Sequence, residues 1–365
     1  MNNQITTTET GASRTILQKV WSIIKKVFAF LLVTILLIAV GLYGVMWVLT
    51  KGPSPTAKEL FTLSVKETSA VGFLANLYLS DAEIEEILSG EAQETFDETT
   101  NSALITVTDP AQSSGQQEAA AEEGRETEKL PDYASEMVSE DGIKIVEIKS
   151  ATFKGLMMIV DDPKRIMVGT PESYGADSKG ITLSDMIKKN SAVGGINAGG
   201  FYDPSGGGNG GIPDGIVICD GKLTWGDKST NGSVIGFDAD GILHVGKMTA
   251  QEALNANMQW AVSFGPALVI NGAPCSGMAS GVNPRTAIGQ RADGTVLMLV
   301  IDGRQVDSLG ATFDDLADIM LDFGAVNASN LDGGSSTLMI YKDEILNVCA
   351  SVYGPRELAT AFLIK

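Results

Sequence analysis

The 365-residue sequence has one histidine, His244, and three cysteines, Cys219, Cys275 and Cys349. No cysteine stands in a CxxC pair and three is an odd number, so neither a zinc site nor a closed disulfide framework is indicated, and at most one bridge can form. A single histidine argues against the His-rich metal sites of many phosphoesterases. It also leaves a Ser-His-Asp hydrolase only one candidate base, and no G-x-S-x-G is present. We therefore expect no metal and no cofactor, and read His244 as an ordinary strand residue. Basic residues are scarce too, 26 against 45 acids. After residue 51 the balance is 21 basic to 44 acidic, a charge of −23. Such a surface repels nucleic acid, whose binding needs Lys and Arg on its phosphates. Aromatics are few, with only Trp225 and Trp260 as tryptophans in the C-terminal part. Carbohydrate-binding modules usually present aromatic platforms, so this scarcity favours an enzyme over a binding module.

One apolar run is long. Val27–Leu49 carries no charge over 23 residues, enough to cross a bilayer as a helix. It is longer than a signal-peptide core and lacks a small-residue cleavage site, so an uncleaved anchor is expected. Arg14, Lys19, Lys25 and Lys26 precede it, which puts residues 1–26 in the cytoplasm and the rest outside the cell. Residues 50–90 read as a helical stalk, with "SDAE" at 80–83 as the N-cap of its second helix. Residues 91–132 are acidic and rich in Ser, Thr, Gln and Ala, the composition of a linker.

Residues 133–365 read as a compact domain of short strands in hairpins, with "DADG" and "RADG" as turns. Three helices open on one device, Thr182 with Asp185, Thr249 with Glu252 and Thr312 with Asp315, a hydroxyl followed three residues on by an acid. The expected fold is α+β, a hairpin-rich mixed sheet with packed helices, preceded by one transmembrane helix and a helical stalk. "GGGNGG", Gly206–Gly211, fits G-x-G-x-x-G, but a strand-like segment follows it where a dinucleotide site needs a helix. It reads as a loop.

Polar residues interrupt the apolar runs in four places, each beside glycines that let a ligand approach the backbone. They are Asn197, Arg285, the pair Asp302 and Arg304, and Asp332 in "NLDGGSST". Each alone could be a turn former or an ion-pair partner. Taken in order, "GGINAGGFYD", "SFGPALVINGAP", "NPRTAIGQRADGTVLMLVIDGR", "ATFDDLADIMLDFGAVNASNLDGGSSTLMI" and "RELATAFLI" resemble the phosphodiester glycosidase family over roughly residues 140–365. That family includes the enzyme that removes N-acetylglucosamine from a phosphodiester to uncover mannose 6-phosphate. Many members read "NLDGGGS" where this chain has Ser335. The resemblance implies a hydrolase of glycosyl phosphodiesters, here with cell-envelope glycans as plausible substrates. It implies Arg285, or in second place Arg304, on the phosphate and Asp332 at the anomeric carbon, with Asp302 as its partner. Asn197, Ser335 and Ser336 would hold sugar hydroxyls or phosphate oxygens, and the N–H groups of Gly333 and Gly334 an anion. Two other readings stay open: a non-catalytic wall-binding module, and a metal-dependent phosphodiesterase using Asp302, Asp322 and Asp332.

Overall fold

The computed structural model describes residues 9–68, 71–91, 99–107, 130–275, 279–351 and 353–365. By contact the chain forms two units, Met1–Lys58 and Glu59–Lys365. The first holds helix α1, Glu9–Lys51. Its Gln18–Lys51 section, mean hydropathy 2.6, is long and apolar enough to span a membrane. Phe28, Leu36 and Leu37, spread around the helix, are all more than 60% exposed.

Helices α2 (Pro55–Lys66), α3 (Phe73–Asn76) and α4 (Asp81–Glu91) follow. At the head of α4 the Glu83 N–H donates to Ser80 Oγ and the Ser80 N–H donates to Glu83 Oε2, the expected capping box. The expected helical stalk is helical, and its α2 packs on the rest of the second unit. The α2 residues Thr62 and Leu63 are buried, and the Val282 N–H donates to Ser64 Oγ at 2.9 Å. Gly281 makes this approach possible, because a Cβ there would lie 2.2 Å from Ser64 N. Gly281→Ala is therefore expected to undock α2, read as a loss of hydrogen-exchange protection over residues 59–67. The linker reading is corrected at 99–107, which lies along the domain. Thr100 Oγ1 accepts from the Val245 N–H and donates to Val245 O, and Ile105 is buried. Residues 92–98 and 108–129 lie outside the described residues.

Three sheets carry the second unit, and every strand pair in them is antiparallel. In the eight-stranded sheet, Lys154–Val160, Val296–Ile301, Arg285–Arg291 and Ala325–Leu331 lie side by side in that order. All six residues of Val296–Ile301 and all seven of Arg285–Arg291 are buried. A strand covered on both faces reads as an unbroken apolar run, which is why "TVLMLVI" shows no alternation. Each large aliphatic side chain buried there contributes about 1.5–3 kcal/mol. A five-stranded sheet holds Gly194–Asn197 between Met339–Tyr341 and Ala361–Ile364. A second five-stranded sheet is centred on Met258–Ser263 and contains His244, whose Nε2 lies 2.8 Å from Asp238 Oδ2.

Helices α5 (Leu183–Asn190), α6 (Ala250–Asn255) and α7 (Phe313–Asp322) start at the three expected threonines. The α6 and α7 starts are complete capping boxes. Helix α7 stops before Gly324, whose φ of +81° only glycine adopts readily. The architecture is thus mixed α/β with antiparallel sheets, close to the expected α+β class.

Candidate active site

The register of the large sheet fixes where the polar clusters meet. Arg285 pairs with Ile301, and Thr286 with Leu331. The start of one central strand and the ends of its two neighbours therefore share one rim, where Arg285, Asp302 and Asp332 leave the sheet. The smaller sheet ends at the same place. The Asp332 N–H donates to Ala198 O at 2.9 Å, and Asn197 Nδ2 donates to Asp332 O at 2.5 Å.

Asn197 is 1% exposed, and its Oδ1 accepts from Thr286 Oγ1 and the Leu338 N–H. With its amide so engaged, it sits behind the site as a staple between two sheets and not as the expected substrate ligand. Asn197→Ala would leave several buried groups unpaired and is expected to cost about 2–4 kcal/mol of stability, read from the denaturant midpoint.

The "GG" of "NLDGGSST" has a packing reason. A Cβ on Gly333 would lie 2.8 Å from Pro284 O, and one on Gly334 3.2 Å from Arg304 Nη2. The Gly334 N–H already donates to Pro284 O, so it is not available to the expected anion nest. Ser335 Oγ accepts from Arg304 Nη1 at 3.3 Å, and thus steadies the guanidinium. Ser336 is buried beside Asp332, close enough to lower its pKa though without a hydrogen bond of standard geometry.

Asp332 lies in a cavity of about 970 Å³. Its side chain keeps partial exposure to that space, yet desolvation dominates and pushes its pKa up to about 7. Ser336 and the Arg356 charge oppose the rise, and the carboxylates of Asp203 and Asp214 add to it. Asp302, the expected partner, is not on the cavity wall. Its Oδ1 accepts from Asn347 Nδ2 and the Val348 N–H, and burial raises its pKa.

The two expected arginines differ in their surroundings. Arg285 is 6% exposed, donates to Ala311 O and Gly281 O, and stacks on Phe313 at 4.3 Å. Its Nη2 also meets Glu67 Oε2 at 2.7 Å. Glu67, just past α2, accepts further from the Gly281 N–H and Asn283 Nδ2. Arg304 donates from Nη2 to Thr68 Oγ1 and Asn283 Oδ1, and forms no ion pair with a described residue. It is exposed at the cavity, while Arg285 is already engaged.

Besides Glu67, three wall residues of the matched strands and loops escaped the sequence reading. Arg356 Nη1 meets Asp203 Oδ2 at 2.8 Å and acts electrostatically on Asp332. Both stand inside the quoted motifs, Asp203 closing "GGINAGGFYD" and Arg356 opening "RELATAFLI". Asn330, two residues before Asp332 on one strand face, has an Oδ1 without a partner among the described residues. Asp322 instead accepts from the Tyr133 hydroxyl, and among the described residues no group of three or more His, Cys, Asp or Glu is placed to hold a metal. The carboxylate triad needed by the metal-dependent reading is therefore not assembled here.

Residues 190–365 match the family model of phosphodiester glycosidases. The matched region contains every expected site residue. The chain is also 30% identical over 189 residues to the SPbeta prophage-derived uncharacterized protein YomE of Bacillus subtilis (strain 168). That match covers 48% of this chain and 28% of the relative, so the chain spans under a third of that protein's length. Among solved structures it is similar in fold to the zebrafish N-acetylglucosamine-1-phosphodiester alpha-N-acetylglucosaminidase catalytic domain, auto-inhibited by its pro-peptide. The TM-score is 0.52 at 21% identity, over 64% of this chain and 81% of that one.

Proposed function

We propose that the domain hydrolyses the glycosyl C–O bond of a sugar 1-phosphodiester, with an N-acetylglucosamine-like sugar, at the outer face of the membrane that α1 spans. The observation that carries this reading is a carboxylate with its pKa raised to about 7 in a cavity that also presents an arginine, Arg304, with no carboxylate partner among the described residues. A base titrating near the operating pH is the efficient kind.

In this reading Arg304 holds the phosphate and Arg285 supports it from behind. Asp332 takes a proton from water as the oxygen attacks the anomeric carbon. The C–O electron pair leaves on the phosphate oxygen, giving free sugar and a phosphate monoester. With a second pKa of about 6, that monoester departs without a strong general acid. Asp203, through Arg356, tunes Asp332 in the place first given to Asp302. Asn330 Oδ1 accepts from a sugar hydroxyl or acetamido N–H. Cell-envelope glycans carrying such linkages are the natural substrates in this setting, with the N-terminus cytoplasmic and the domain outside.

The test is turnover of methyl N-acetylglucosamine 1-phosphate by the full chain in ¹⁸O-water. Label in the sugar is the expected result. Label in the phosphate would mean P–O cleavage and would overturn the mechanism, and binding without turnover would favour the wall-binding reading.

A further inference from the structure

Among the described residues, seven charged side chains line the cavity, the arginines 285, 304 and 356 and the carboxylates Glu67, Asp203, Asp332 and Glu357. Their pairing is uneven. Glu67 neutralises Arg285, Asp203 neutralises Arg356, and Glu357 pairs at 2.7 Å with Lys179. Arg304 alone among these arginines forms no ion pair with a described residue, and it shares Asn283 with Glu67: Asn283 Oδ1 accepts from Arg304 while its Nδ2 donates to Glu67. Desolvation and the nearby Arg285 charge lower the Arg304 pKa, and the Glu67 charge opposes them. The cavity thus offers one unmatched positive charge, beside a carboxylate fixed by three hydrogen bonds from Gly281, Asn283 and Arg285.

We propose that Glu67, from the membrane-proximal helical segment, is a specificity-determining residue that sets this subsite for a singly charged phosphodiester and against a doubly charged phosphate monoester. This inference rests on the reading of the site as a glycosyl phosphodiester hydrolase with its phosphate on Arg304. A diester carries one negative charge at neutral pH, whereas a monoester carries about −1.5 to −2. With Glu67 cancelling Arg285, Arg304 alone is left to match one negative charge, and a second phosphate charge finds no partner. The product, a monoester, is held the less for the same reason. Glu67 lies outside the matched family region, so this selectivity belongs to this chain's own N-terminal segment.

The experiment compares the full-length protein with Glu67→Gln, which keeps the shape and the acceptor oxygen, and with Glu67→Asp, which keeps the charge. All three proteins also carry Asp332→Asn so that the ester is not consumed, "wild type" below meaning Glu at position 67, and at pH 7.5 calorimetry gives the Kd of N-acetylglucosamine 1-phosphate and of its methyl ester. In the wild type the diester is expected to bind more tightly. In Glu67→Gln the ratio of monoester Kd to diester Kd should fall about tenfold, since the dianion gains roughly twice what the monoanion gains. Glu67→Asp should restore most of the wild-type ratio. An unchanged ratio in Glu67→Gln overturns the proposal. If both esters then bind more tightly by one factor, Glu67 merely occludes the cavity; if both weaken together, it only supports the fold. If neither ester binds the wild type, the phosphodiester reading itself fails and this inference falls with it.

Discussion

Asp332→Asn is expected to lower kcat/KM for a glycosyl phosphodiester by about 10²–10⁴-fold, the span general acid–base groups usually contribute. The fold should survive, because the backbone of residue 332 is held by Ala198 and Asn197 whatever its side chain. The neutral amide also removes a carboxyl that desolvation already disfavours as an anion. In the wild type the pH profile provides a second reading of the same residue. A base must be deprotonated to act, so kcat/KM should rise with pH through about 7 and level above it. A profile that falls through that region would make Asp332 an acid, and one flat from pH 5 to 9 would remove it from proton transfer altogether.

Arg304→Ala has the next largest expected effect, a loss of about 10–100-fold in kcat/KM with little change in thermal midpoint. Charge-assisted hydrogen bonds from a guanidinium to phosphate are worth roughly 1.5–3 kcal/mol. Both KM and kcat should respond, since charge grows on the phosphate as the C–O bond breaks. Arg304→Lys should recover only part, because an ammonium lacks the planar fork that reaches Ser335, Thr68 and a phosphate together. Arg285→Ala should behave differently. It leaves Glu67 without its ion-pair partner, and breaking such a buried pair costs about 3–5 kcal/mol, so stability falls along with activity. If Arg304→Ala left kcat/KM intact while Arg285→Ala abolished binding in a folded protein, the phosphate would belong on Arg285.

What could be read from the sequence follows from where the information is local. The capping threonines were legible because a hydroxyl and an acid three residues apart meet within one helical turn. The hairpin turns at "DADG" and "RADG" were legible for the same local reason. Roles that depend on which way a side chain leaves a strand were not. Asn197 and Asp302 both sit at strand ends beside the cavity rim, yet one turns into the seam between two sheets and the other toward Val348. Arg356 and Asp203 were in view in the quoted motifs, but their pairing crosses more than 150 positions of chain. Glu67 had no local signal at all. Its role arises from α2 docking beside Gly281, a contact that neither the periodicity nor the composition of either segment records.

That docked helix changes how function travels between relatives. The shared family region begins at residue 190, while one wall of the cavity comes from residue 67. On the roles proposed for Asp332 and Glu67, two chains alike over the shared region but preceded by unrelated N-terminal segments would keep the carboxylate and differ in which esters they accept. Substrate preference would then change by exchange of the segment that precedes the domain, with the strand that carries Asp332 left untouched.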